Sequence, residues 1–257
     1  MTLARIEDAG DRLIVWNMNA ARRGALSVEL YEVITEACAR AAAEPRLRSV
    51  ILASEGGYFC AGGDMNTLIT RRALTEAERI VKIGELQDVA RAIRACPVPV
   101  IAAVQGGAAG AGLSLALACD LIVAEAGASF VAAYVRIGLV PDGGMTAFAA
   151  QALPRQLVTE MCLLGRPVGV DRMAALGVVS VVAAEGAALA EAQALADAFA
   201  KGPRDSRAAI KALIGSAYGD EHDQLEAERA AMARAQGGDE AGEGIQAFLD
   251  KRKPSFP

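Results

Sequence analysis

The sequence predicts an α/β fold: strands and helices alternate up to about Val182, and an all-helical region follows. Three observations carry this expectation. Two short apolar, β-branched runs, Ser49 to Ala53 and Val98 to Val104, each lead into a glycine-rich turn that opens a helical pattern. A third such turn, Pro141-Asp-Gly-Gly144, precedes another helix. Beyond Val182 the apolar residues recur at helical spacing, as in Ala188, Ala192, Leu195 and Phe199.

Taken in order, Leu3 to Asp8 and Leu13 to Met18 flank Gly10-Asp11 and read as two strands joined by a tight turn. Ser27 caps a helix whose apolar positions Leu30, Val33, Ile34, Ala37 and Ala41 share one face, and Pro45 stops it. The strand Ser49 to Ala53 delivers the turn Gly56 to Asp64. Thr75 and Glu78 form a capping box for a helix with Ile83, Leu86, Ala90 and Ile93 on one face, ended by Cys96-Pro97. The strand Val98 to Val104 then runs through Gly106-Gly107 into a helix from Gly110 to Ala118. Strands are expected at Leu121 to Ala124 and from Ala128 to Tyr134, and Pro141-Asp142 reads as a helix N-cap. Two further helices, a strand from Val178 to Ala183 and four more helices complete the chain. The organisation is a core over residues 1–185 and a helical region over 186–257.

Composition narrows the function. The 257 residues carry a net charge of −5, from 26 basic and 31 acidic side chains, with no basic stripe to track phosphates, so nucleic acid is not an expected partner. Five cysteines without a C-x-x-C pair read as reduced core residues, and a single histidine leaves no usual zinc ligand set. The N-terminus has no apolar signal core, so a cytoplasmic location is expected. A membrane helix over Val98 to Ala124 fails on Pro99, the glycine pair and Gln105. A dinucleotide turn fails because its third glycine falls on Leu115. A nucleophile elbow around Ser114 has only His222 as a base, in a distant polar stretch.

A glycine turn at a helix N-terminus presents unpaired N–H groups and the positive end of the helix dipole, and so suits an anion. The three turns together resemble the crotonase family, the enoyl-CoA hydratase/isomerase superfamily. The matching pieces are Phe59-Cys-Ala-Gly-Gly-Asp64, Ala103 to Gly112 with Ala118-Cys-Asp120, Ile137 to Gly144, and the ending Phe248 to Phe256. The resemblance implies a crotonase-like spiral of ββα units with a C-terminal helical trimerisation region, assembled as a homotrimer or dimer of trimers. It also implies an acyl-CoA thioester substrate and no cofactor beyond the coenzyme A that the substrate carries. The family's oxyanion hole of two backbone N–H groups falls on Gly63 and on Ala111, or one residue earlier on Gly110. Such donors stabilise the enolate formed when a proton next to a thioester carbonyl is removed.

Hydratases of the family use two glutamates, and those positions here are Ser114 and Tyr134, whose ordinary pKa values lie far above 7. Asp142 is the acidic residue near the expected acyl pocket, where the isomerase branch, including the ring-opening isomerases of phenylacetate degradation, places a proton-shuttling Asp. The expected function is therefore an enoyl-CoA isomerase with Asp142 as its one acid/base. An enoyl-CoA hydratase and a non-catalytic CoA-binding or scaffold protein stand as alternatives. Each site residue has a plainer reading: Asp142 and Asp64 as caps, Ser114 as a small residue on a packed helix, Tyr134 as a strand residue. By resemblance, Arg23, Ala25, Leu26, Ala61, Asp64, Met65, Phe248 and Lys251 contact coenzyme A or the acyl group, although the Arg22 to Leu26 loop lacks the family's usual proline and asparagine.

Overall fold

The computed structural model describes residues 2–71 and 73–219, with Asp239, Glu243, Ala247, Asp250, Lys251, Arg252 and Ser255 beyond them. The helices expected from Asp223 to Ala235 and from Glu240 to Lys253, and the site residue Phe248, otherwise lie outside the described residues.

In chain order the strands are β1 (Ala4–Asp8), β2 (Arg12–Asn17), β3 (Ser49–Ser54), β4 (Val100–Val104), β5 (Gly107–Ala109), β6 (Leu121–Glu125), β7 (Ser129–Val131), β8 (Val168–Gly169) and β9 (Val181–Ala183). The α-helices are α1 (Val28–Ala43), α2 (Met65–Arg71), α3 (Glu76–Ala95), α4 (Ala111–Ala118), α5 (Met145–Ala152), α6 (Arg155–Leu164), α7 (Val170–Ala175), α8 (Ala188–Ala200) and α9 (Arg204–Ser216). Six strands form one sheet in the order β1-β2-β3-β4-β6-β9, antiparallel only at the β1–β2 hairpin, and β5-β7-β8 form a second sheet.

The spiral comes from repetition. β4 passes through Gly106 into β5 and then α4, β6 passes into β7, and β3 delivers Cys60, which bridges Ala108 of β5 before α2 begins. Each unit thus gives one strand to the large sheet and a short pairing to the second layer before its helix. One face of the large sheet packs against α1, α3 and α4 through Leu13, Val15, Val50, Leu52, Ile34, Ile93 and Leu113. The other face carries Ile14, Ile51, Ile101 and Val123, which α8 covers with Ala188, Ala192 and Ala196. The alternation of strand side chains between faces is what lets both layers be apolar.

Local signals formed as expected where they had a local cause. Ser27 Oγ accepts from Leu30 N at 3.1 Å, and Thr75 and Glu78 complete their capping box. Two expectations are corrected. The strand thought to reach Tyr134 ends at Val131, because β5 is only three residues long and offers no further partner; residues Ala133–Ile137 coil into a 3₁₀ turn. The helix opened by the third glycine turn and the two further helices expected before β9 are α5, α6 and α7, with the short strand β8 pairing back on β7 between α6 and α7. Ile83, placed on the apolar face of α3, is exposed, and Val89 takes the buried position. Among the described residues no helix is long and apolar enough to cross a membrane.

Candidate active site

The first two glycine turns meet. Gly62 has φ +92°, and a Cβ there would stand 2.8 Å from Ala109 O and 3.2 Å from Ala111 N, so glycine alone permits this approach. Ala109 N donates to Cys60 O at 2.9 Å, which holds the turns side by side. The N–H of Gly110 donates to Val131 O at 2.8 Å and is thereby used, whereas Ala111 is the first residue of α4, where an N–H has no helical partner. Of the two positions left open by the sequence, Ala111 therefore has the available donor. The N–H of Gly63 likewise makes no backbone bond among the described residues.

Directly below, α4 contributes Ser114, the 3₁₀ turn Tyr134, and the third glycine turn Asp142. Ser114 Oγ lies 2.8 Å from Tyr134 Oη and 2.9 Å from the backbone O of Asp142. Tyr134 Oη donates to Asp142 Oδ1 at 3.0 Å. Ser114 is fully buried and Tyr134 nearly so. Tyr134 has one proton and gives it to the carboxylate, so the Ser114 hydroxyl supplies the donor for their own contact or for the Asp142 carbonyl.

The capping reading of Asp142 is corrected by this geometry. Gly143 and Gly144 take φ +59° and +85°, which delays α5 to Met145, and its N-cap is Gly144 with no side-chain cap. The Asp142 carboxyl instead faces Tyr134. Burial raises its pKa above the ordinary Asp value, against the Tyr134 hydrogen bond, the charge of Arg71 and its own backbone N–H, which lower it. Burial first, and then the Asp142 charge, raise the Tyr134 phenol, so Tyr134 stays a neutral donor.

Beside the two glycine turns, Arg23, Tyr58, Ala109, Val131, Ala133 and Arg136 border a cavity of about 380 Å³. Arg23 stacks over the Tyr58 ring at 4.2 Å. Its loop is tied to the first turn by Ala61 N→Arg23 O at 3.0 Å and Leu26 N→Gly62 O at 2.8 Å, and Ala25 and Leu26 are buried. Asn17 and Asn19 hold the loop from beneath through Gly24 O and Ala25 O. Asp64 does act as a cap, with Oδ1 accepting from Asn66 N and Thr67 N, and its other oxygen pairs with Arg22. Met65 is exposed at the start of α2, and Lys251 is exposed with φ +55°.

Sequence reasoning missed Arg136, and it missed Arg71, whose charge acts on Asp142, and Glu85, which lies 3.9 Å from Arg71. Charges on helices read as solvated surface. Glu85 did carry a signal, since it precedes buried Val89 by four residues and so stands on the buried face of α3.

The family model for enoyl-CoA hydratase/isomerase matches residues 11–257. The chain is 30% identical over 255 residues to the enoyl-CoA hydratase EchA19 of Mycobacterium tuberculosis, covering 98% of this chain and 96% of that one. It is 30% identical over 237 residues to the 1,2-epoxyphenylacetyl-CoA isomerase of Escherichia coli K12, covering 91% and 90%. The crystal structure of an enoyl-CoA hydratase from Polaromonas sp. JS666 superposes with a TM-score of 0.95 at 40% identity, covering 99% of each chain. The chain belongs to the enoyl-CoA hydratase/isomerase family.

Proposed function

We propose that this protein is an enoyl-CoA isomerase that works through a thioester enolate, with Asp142 as its single acid/base and the N–H groups of Gly63 and Ala111 as the oxyanion donors. The observation that carries the reading is the composition of the buried polar group. Its three members are two hydroxyls and one carboxylate, and only the carboxylate titrates in a useful range.

In a double-bond shift Asp142 removes a proton from C2 of a 3-enoyl thioester, and the electron pair moves onto the carbonyl oxygen. The backbone donors hold the resulting dienolate, each such donor contributing roughly 3 to 4 kcal/mol. Protonated Asp142 then returns the proton at C4, leaving the 2-enoyl thioester. A carboxyl whose burial raises its pKa is suited to both steps, since it neither gives up nor takes the proton too readily. The cavity beside Arg23 and Arg136 suits the anionic coenzyme end of such a substrate.

Hydration is the second reading, favoured by the names of EchA19 and of the Polaromonas protein. It would place a water against Asp142, Ser114 and Tyr134. Incubation of wild type and Asp142→Asn with 3-enoyl-CoA and with 2-enoyl-CoA separates these readings. Migration that falls by at least about 10²-fold in the variant is the expected outcome. Hydration that survives the substitution would replace the isomerase reading, and tight binding without either reaction would favour a non-catalytic CoA-binding role.

A further inference from the structure

Asn19 reaches the first glycine turn through two peptide groups. It is a buried amide two residues beyond β2, and its Nδ2 donates to Ala25 O at 2.9 Å. That carbonyl shares a planar peptide group with the N–H of Leu26, which donates to Gly62 O at 2.8 Å. The Gly62 carbonyl in turn shares its peptide group with the N–H of Gly63, which makes no backbone bond among the described residues. Both peptides are trans, so each carbonyl and its N–H point in opposite directions. One line of hydrogen bonds therefore runs from the Asn19 amide through peptides 25–26 and 62–63 and ends on the Gly63 N–H. The neighbouring bond, Ala61 N to Arg23 O at 3.0 Å, runs the other way, with the turn donating to the loop. Asn17 fixes the origin of the line, since its Oδ1 accepts from Asn19 N at 3.1 Å.

We propose that Asn19 is a positioning residue for the oxyanion hole: it orients and polarises the Gly63 N–H through the Leu26–Gly62 hydrogen bond, without touching the substrate. The proposal rests on the reading of Gly63 as an oxyanion donor given above and accounts for how that donor is held. Orientation comes first. Gly62 has φ +92°, and a peptide plane between two glycines turns readily, so without an anchor on its carbonyl the Gly63 N–H would sweep over many directions. The Leu26 N–H anchors that carbonyl, and Asn19 anchors the Leu26 peptide. Polarisation adds to this. The two peptide dipoles lie head to tail with their positive ends toward the donor, and hydrogen bonds in such a chain strengthen one another by about 10 to 30% each. Charge that develops as the enolate forms then meets a donor that need not reorganise. The plainer role for Asn19 is to satisfy the Ala25 carbonyl and stiffen a binding loop, which would act on affinity and leave the reacting carbonyl alone.

The test reads the thioester carbonyl directly. Raman difference spectra of hexanoyl-CoA, isotopically labelled at the carbonyl carbon, report how strongly the hole polarises it, and this saturated probe needs no turnover. For wild type the carbonyl stretch is expected to fall in frequency on binding. In Asn19→Leu, and in the isosteric Asn19→Asp, which presents only acceptors at pH 7, much of that fall should be lost. Replacing Leu26 by its α-hydroxy acid turns the 25–26 amide into an ester and removes the relayed proton with every side chain kept; it should give the same loss even where the Asn19 variants fold poorly. With 3-enoyl-CoA, kcat should fall about tenfold, short of the roughly 10²- to 10³-fold cost of removing a whole donor, while the Kd of hexanoyl-CoA stays within about twofold. Variants that keep the full wild-type carbonyl shift, or that weaken binding with kcat unchanged, overturn the proposal and leave the oxyanion hole standing. A wild-type spectrum that does not shift on binding would sink the oxyanion reading and this proposal together. A wild type that hydrates instead of migrating the double bond would sink the isomerase reading alone, and the spectral loss in the variants would still support the role of Asn19.

Discussion

At Asp142 two opposed influences meet: burial disfavours the charge, and the Tyr134 hydroxyl at 3.0 Å favours it. Removing that hydroxyl leaves burial less opposed. In Tyr134→Phe the carboxyl pKa is expected to climb further, and the acidic limb of the kcat–pH profile should move to higher pH. A limb that stays in place or moves down would show that Tyr134 does not tune this group. The same shift has a consequence for stability. Because the folded-state pKa is raised above that of the unfolded chain, the native state holds the proton more tightly and loses stability as pH rises through that interval. Asp142→Asn cannot ionise, so it should be more stable than wild type at pH 7, by about 1 kcal/mol, while losing activity. Well below the ordinary Asp pKa of about 3.9 both side chains are neutral in the folded and unfolded states, and the difference should vanish in urea titrations.

Among the elements, α4 is defined by how closely its first turn approaches the Cys60 to Gly63 turn. A Cβ on Gly112 would stand 2.3 Å from Cys60 O and 2.7 Å from Cys60 Cβ and Sγ. The nearest obstacle is backbone, which cannot swing aside. Gly112→Ala is expected to cost about 1 to 3 kcal/mol, read as a lower urea midpoint with unchanged slope. It should also lower kcat by forcing the two turns apart. These turns were legible because glycine clusters after apolar runs have few other uses, and Ser27 and Thr75 with Glu78 were legible because a cap acts within four residues. The 3₁₀ turn at Tyr134 was not. Val131 and Val135 have strand propensity, and what ends β7 is the shortness of β5, a partner some twenty residues earlier. Asp142 misled for a related reason: Pro-Asp is a cap signature locally, and the two glycines at positive φ displace it.

For the whole molecule, the sequence named Ser114, Tyr134 and Asp142 one by one, but only the spiral makes them touch. Arg71 had no such individual mark, since it meets Glu85 only where the end of α2 comes against α3. A comparable long-range tie fastens α9 to the core, and it can be broken singly. Lys211 Nζ reaches Asp120 Oδ2 at 2.6 Å, Ile93 O at 3.0 Å and Val98 O at 3.2 Å, where β4 begins. The same Asp120 oxygen accepts from Val100 N at 2.8 Å, so one pair joins the end of α4, the start of β4 and α9. Burial already raises the Asp120 pKa, and the Lys211 charge is the largest influence holding it down. Lys211→Met would strand that carboxylate in an apolar setting. The expected loss at pH 7 is about 3 kcal/mol, the low end for a buried pair because both side chains keep some exposure. As pH falls through the raised pKa of Asp120, the stranded charge is neutralised and the deficit relative to wild type should shrink. The double variant Lys211→Met with Asp120→Asn should recover part of the loss at pH 7, since it removes the charge and keeps an acceptor for Val100 N. Urea midpoints at pH 7 and pH 4 for wild type and the two variants check each step. A deficit that is independent of pH would mean that Lys211 supports the core through its two carbonyl bonds and packing, and not through the ion pair.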